Sequence, residues 1–252
     1  MRQPERLQAY LRATARGFYE AVPVPSFTCF FHPTDSLRYF NYAIPDEPVG
    51  GDLSKPVDRL RAAFRERDRL PRFEYVEGFA PALAGALESA GFELELRAPL
   101  MTVPTADVAE PSLPPGFAIV PATADLRAYL TVGRRAFGDG DEPEASDAEV
   151  EARLARSDVG TALLGLLDGE PVAVAAATPP LDGLTEVAGV GVLEHARGRG
   201  LGGAMTAAAA RDAATRGAEL AFLAPGSDAA QSVYLRVGFR PAEVSLYYAD
   251  PA

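Results

Sequence analysis

Apolar positions along this chain recur at two periods, and the switches between them mark out its elements. Apolar residues three and four apart predict helices from Glu5 to Glu20 and from Pro56 to Arg69, the latter with Pro56 in its first turn. Runs of β-branched and aromatic residues predict strands at Ser26 to His32, Leu37 to Ile44, Phe73 to Val76 and Phe92 to Val103, with a helix from Pro81 to Ala90 before the last. A second series begins at Phe117. It predicts a strand to Val120, helices at Ala124 to Phe137 and Ala145 to Ser157, and strands at Thr161 to Leu167 and Val172 to Thr178, which Asp168-Gly169 joins as a tight hairpin. A strand from Glu186 to Leu193, a loop plus helix over Gly198 to Arg216, a strand from Leu220 to Ala224, a helix from Ala229 to Val237 and a strand near Val244 to Tyr248 complete it.

Hairpins first and a crossover helix later imply an α/β (α+β) fold on a mixed, mostly antiparallel sheet. The stretch from Val103 to Gly116 carries Pro104, Pro111, Pro114 and Pro115, which resist helix and central strand alike. It reads as an interdomain linker, dividing the chain into domains at 1–110 and 111–252. The two halves also echo each other. Ala82 to Phe92 resembles Ala229 to Phe239 when Gly91-Phe92 is laid on Gly238-Phe239, each a short helix closed by a glycine cap.

The sharpest chemical signal is Arg197-Gly198-Arg199-Gly200-Leu201-Gly202-Gly203, set between the apolar run Val187 to Leu193 and an alanine-rich helix. Unpaired amides at a helix N-terminus, glycines that let a ligand approach the backbone, and two guanidinium groups suit a polyphosphate. Gly198-x-Gly200-x-x-Gly203 also fits a dinucleotide fingerprint, but too little chain follows and the next strand, ending at Ala224-Pro225, closes without an acidic residue. A phosphate-binding loop of the nucleotide-hydrolase type lacks its Gly-Lys-Ser/Thr.

At 252 residues with no apolar run of membrane-spanning length and no secretion signal, the chain reads as cytoplasmic, with no membrane partner. The net charge of −11 argues against nucleic acid. One cysteine, Cys29, set among Phe27, Phe30 and Phe31, reads as a buried thiol, and two distant histidines give no metal site.

Alternating Val190 and Val192 ahead of Arg197, Gly200 and Gly202, followed by Tyr234 four residues before Gly238-Phe239, resemble the GNAT N-acetyltransferase superfamily over roughly Gly116 to Ala252. The first half resembles a degenerate tandem copy, with Leu87 in the place of Tyr234 and no glycine loop before it. Glu194 stands where the family usually has proline, and Ser227 where it often has an asparagine that touches the cofactor arm. The resemblance implies acetyl-CoA as acyl donor and a small-molecule primary amine as acceptor, in a monomer or homodimer.

Residue roles follow from that implication. The main chain of Val190, Gly191 and Val192 would pair with the pantetheine amides and polarise the thioester carbonyl. Amides from Gly198 to Gly203 would hold the pyrophosphate, with Arg197 and Arg199 adding charge, although a surface arginine is often merely solvated. Tyr234 would sit by the departing sulfur. Glu186, eleven residues before Arg197, stands where histone-type members carry their base, and strict alternation puts it on one face with Val190 and Val192; the alternative is a solvated strand edge. The acidic stretch Asp139 to Glu151 reads chiefly as a solvated loop, with steering of a cationic amine as the rival. A non-catalytic acyl-CoA-binding or assembly module would need the loop but neither Tyr234 nor Glu186.

Overall fold

The computed structural model describes residues 2–33, 38–138, 140–155 and 160–251, which form two compact units, 1–100 with 242–252 and 101–241. In chain order the elements are α1 (Gln3–Phe18), β1 (Glu20–Val24), β2 (Phe27–Phe31), β3 (Tyr42–Pro45), α2 (Ser54–Arg65), β4 (Arg72–Val76), α3 (Leu83–Ser89), β5 (Glu93–Pro104), β6 (Phe117–Pro121), α4 (Leu126–Phe137), α5 (Asp147–Leu154), β7 (Thr161–Leu167), β8 (Glu170–Ala177), β9 (Leu184–Val192), α6 (Leu201–Thr215), β10 (Leu220–Leu223), α7 (Asp228–Val237) and β11 (Arg240–Ala249).

Most boundaries differ from the expected ones by one to three residues, and β1 is an addition. The first helix stops at Phe18, and the chain turns at Val24 to run β1 antiparallel to β2. Of the strand expected from Leu37 to Ile44, residue 37 lies outside the described residues, Arg38–Phe40 is a 3-10 turn and only Tyr42–Pro45 pairs. The helix expected to reach Ser157 is described as Asp147–Leu154; Arg156 and Ser157 lie outside the described residues.

The second unit orders its strands β6-β7-β8-β9-β10, antiparallel up to β9 and parallel between β9 and β10. That change of sense requires a crossover, which α6 supplies. Helix α6 buries Met205, Ala209, Ala210 and Ala213 completely, so small side chains bring its backbone close to the sheet. Asp168 and Gly169 both have positive φ, at 51° and 87°, as the two-residue hairpin between β7 and β8 demands.

The first unit repeats this plan in shorter form. Strands β1, β2 and β3 are antiparallel, β3 and β4 are parallel, and α2 lies between them in sequence. The echo between the halves extends to hydrogen bonds: Phe92 N–H donates to Leu87 O and Phe239 N–H to Tyr234 O, both at 3.0 Å. Each cap has a left-handed glycine, Gly91 at φ 87° and Gly238 at φ 115°.

The expected boundary after residue 110 does not match the two units. The reason is that the end of β5 pairs antiparallel with β10, through Met101↔Leu223 to Pro104↔Leu220, and so belongs to the second unit. Correspondingly, Ser245–Ala249 of β11 pair with Arg72–Val76 of β4 in the first unit. Each unit's sheet is thus closed by a strand end from the other half of the sequence. Nor is the proline-rich stretch a free linker. Thr105 N–H donates to Glu219 O, Val108 is buried against α6, and Arg211 donates to Val108 O at 3.0 Å.

Candidate functional site

A bulge in β9 builds the site. Val174 pairs with Gly191 and Ala176 with Ala188, so Gly189 and Val190 face only Ala175 across the ladder. Gly189 supplies the turn, with φ 59°. Beyond the bulge, Leu193 N–H donates to Val172 O, which turns the main chain of residues 191 and 193 toward β8. The N–H and C=O groups of Val190 and Val192 therefore face the β10 side. There the pairing has already stopped, since Leu184↔Leu220, Thr185↔Ala221 and Glu186↔Phe222 are the paired positions. The two parallel strands fork, leaving a strand edge that can pair with an extended ligand.

The same bulge corrects the expected position of Glu186. Val187, Val190 and Val192 pack on the α6 side, whereas Gly191 faces α4: a Cβ there would lie 2.8 Å from that of Ala136. Glu186 accepts at its carbonyl from Thr178 N–H and shares a face with Ala188 and Gly191. One extra residue in the strand reverses the alternation, so Glu186 points to the face opposite Val190 and Val192. It is half-buried at the fork itself, and its own N–H donates to Thr178 Oγ1 at 2.8 Å.

Below the fork lies an open cavity of about 1030 Å³ lined by Val190, Val192, Arg197 to Ala204, Ser227, Val233 and Tyr234. Gly198 at φ 78° and Gly200 at φ 81° flank Arg199, and nothing stands within 4 Å of the place a Cβ would take at either. Positive φ and open space together expose the amides of residues 201–203 at the start of α6. Side chains at these glycines would fill the room a phosphate needs. The donor set, amides and a left-handed glycine pair at the positive end of a helix, fits a pyrophosphate.

Of the two arginines, Arg197 turns back on the protein, donating through Nε to Val192 O at 3.0 Å and through Nη2 to Ala136 O at 3.5 Å. Arg199 is exposed on the loop. Ser227 lines the cavity, but its hydroxyl caps α7 by accepting from Ala230 N–H at 3.2 Å. Leu201 is buried, and Gly203 lets α7 approach, with Val233 Cγ1 3.6 Å from its notional Cβ. Gly191 is not among the cavity-lining residues.

Tyr234 lines the cavity from α7 and packs its ring 6.2 Å from that of Phe239. Burial pushes its hydroxyl above the usual phenol range, which keeps the proton on oxygen at neutral pH. The acidic stretch is largely occupied with local structure. Glu149 caps α5 and pairs with Arg134, Asp147 pairs with Arg127, and Glu142 accepts from Gly140 N–H. Asp139 lies outside the described residues.

Two groups of lining residues escaped the sequence reading. Ala109 to Pro115 form one wall of the cavity, and Ala204 and Ala207 of α6 line it as well. The proline cluster was a visible signal, but linker composition and a rigid wall look alike in sequence. The first unit's counterpart turn does contain glycines, Gly50 and Gly51, before α2. A Cβ at Gly50 would meet that of Ala82 at 2.7 Å, and Asp52 accepts from Ser54 N–H at the start of α2, so this turn is filled and acidic where the other is open.

A family model for the acetyltransferase (GNAT) family matches residues 127–239. Among solved structures, a GCN5-related N-acetyltransferase from Kribbella flavida is 30% identical, covering 100% of this chain and 97% of that one, with a TM-score of 0.83. The chain therefore belongs to the GNAT family of acetyltransferases, in its tandem form. Two further structures share the fold: a GCN5-related N-acetyltransferase from Sphaerobacter thermophilus (16% identity, 89% and 76% coverage, TM-score 0.65) and a tandem GNAT protein from the clavulanic acid biosynthesis pathway (16%, 90% and 79%, 0.64). Comparison with curated proteins gives no match. Among the described residues no helix is long and apolar enough to cross a membrane.

Proposed function

We propose that the protein transfers an acetyl group from acetyl-CoA to a primary amine of a small molecule, by direct attack through a tetrahedral intermediate. The observation that carries this reading is the forked strand beside a glycine-lined helix start, because it offers a pantetheine-like edge and a pyrophosphate nest in one cavity. Bound there, acetyl-CoA would supply the activated thioester.

The chain's own groups then divide the work. The outward N–H groups of Val190 and Val192 hold the arm and stabilise negative charge developing on the thioester oxygen. Arg197 braces the end of β9, so the charge it offers the phosphates is secondary to Arg199 and the loop amides. In this reading Glu186, at the fork on the opposite face, takes a proton from an amine arriving from that side. An amine of pKa ~10.4 costs about 4–5 kcal/mol to deprotonate at neutral pH, which is what a base at that position offsets. Tyr234 keeps its proton and donates a hydrogen bond to the departing thiolate.

Monitoring thiol release from acetyl-CoA against a panel of primary amines tests the reading. Amine-dependent release supports it; tight binding of acetyl-CoA with no turnover for any amine would instead indicate a non-catalytic binding module.

A further inference from the structure

The cavity beside α6 is lined by Ala109 to Pro115 as well as by Val190, Val192 and the glycine loop. Gly203 abuts Val233 and Val237 of α7, whereas Ala208 and Arg211 lie beside Glu110 and Pro111, so different faces of α6 meet α7 and the proline-rich segment. The glycine loop is common to both sides of the cavity.

Ala109 to Pro115 is held at both ends. Arg211 fixes the first through Val108 O and Glu110; at the second, Phe117 N–H donates to Pro114 O and Asp168 N–H to Gly116 O. Between these anchors Pro111, Pro114 and Pro115 have no N–H to donate and resist collapse onto the helix, leaving an apolar groove with Leu113 47% exposed. A long donor with its pyrophosphate in the middle needs a second lane leading away from the nest. We propose that this strap is the wall against which the nucleoside end of the acyl donor stacks, with Leu113 and the proline rings against the base. This rests on the donor reading above. It goes beyond it, since the strap lies outside the residues the family model matches, 127–239.

The test compares two donors on the full chain, acetyl-CoA and acetylated 4′-phosphopantetheine, which lacks the nucleotide. By calorimetry the unaltered protein should bind acetyl-CoA more tightly, and Leu113→Ser should weaken acetyl-CoA about fivefold while leaving the truncated donor unchanged. Pro111→Ala with Leu113→Ser should deepen the loss, and an unchanged melting temperature shows that the variants fold. Equal losses for both donors, or none for either, overturn the proposal. So does a changed preference between acetyl- and butyryl-CoA, because the groove would then hold the acyl chain. Failure of the unaltered protein to bind either donor removes the donor reading itself.

Discussion

Tyr234 and Cys29 show how one physical cause, burial, leads to different chemistry. Burial raises both groups, the Cys29 thiol to about 12, but only Tyr234 opens onto the cavity. Replacing Tyr234 with Phe removes a proton donor and little contact area, so kcat should fall about 10- to 100-fold with acetyl-CoA affinity nearly intact. A large affinity loss with unchanged turnover would overturn that role. Cys29, completely buried in β2, should not react with a disulfide reagent at pH 8 until denaturant is added. Both residues were legible in sequence, the cysteine from its phenylalanine neighbours and the tyrosine from its distance to Gly238-Phe239. Glu186 was legible as a residue but not in its orientation. Alternation predicts one face, and a single extra residue at Gly189 selects the other.

At the scale of elements, the approach of α4 to β9 beyond that bulge depends on packing that no local pattern announces. Gly191 sits where a Cβ would press on Ala136 at 2.8 Å and Phe137 at 3.2 Å, so α4 can approach β9 only because position 191 is glycine. Gly191→Ala should destabilise the fold by about 1–3 kcal/mol through overpacking. Calorimetry should show this as a lower melting temperature, by roughly 2–4 °C per kcal/mol for a protein of this size. An unchanged melting temperature would mean that α4 shifts freely. Helix and strand order and the glycine loop could be read directly, since period and turn chemistry are local properties. The strap could not, because prolines that stiffen a wall also stiffen a linker.

The whole molecule is two units whose sheets each borrow a closing strand from the other half of the sequence. Fragments cut after residue 110 should therefore fail to fold separately. Fragment 111–252 lacks the strand that covers β10, and fragment 1–110 lacks the one that covers β4; circular dichroism and analytical sedimentation of each fragment would check this. A cooperative melt from either fragment alone would contradict it. Strand partnership across so long a separation has no local signature, so composition does not show which unit the ends of β5 and β11 join.

Titration is a property of the whole molecule too. Burial raises Tyr19, Tyr75, Tyr129, Tyr234 and Tyr248 as well as Cys29, so above pH ~9 the unfolded chain releases protons that the native state retains. The native state then binds more protons than the unfolded one, and stability must fall as pH rises. The contribution is complete below the ordinary thiol and phenol values and is lost progressively up to the raised ones. Melting temperatures measured from pH 8 to 11 should decline, more steeply beyond 10.

The strand borrowed by the first unit comes from residues 242–252, which leave the ribosome after every other part of either unit. During vectorial synthesis the amino-terminal half emerges first and must wait with the edge of β4 uncovered until the carboxyl-terminal half has been made. A chain cut short before residue 242 would keep the glycine loop and both strands of the fork, yet leave the edge of β4 uncovered and open to chaperones and proteases.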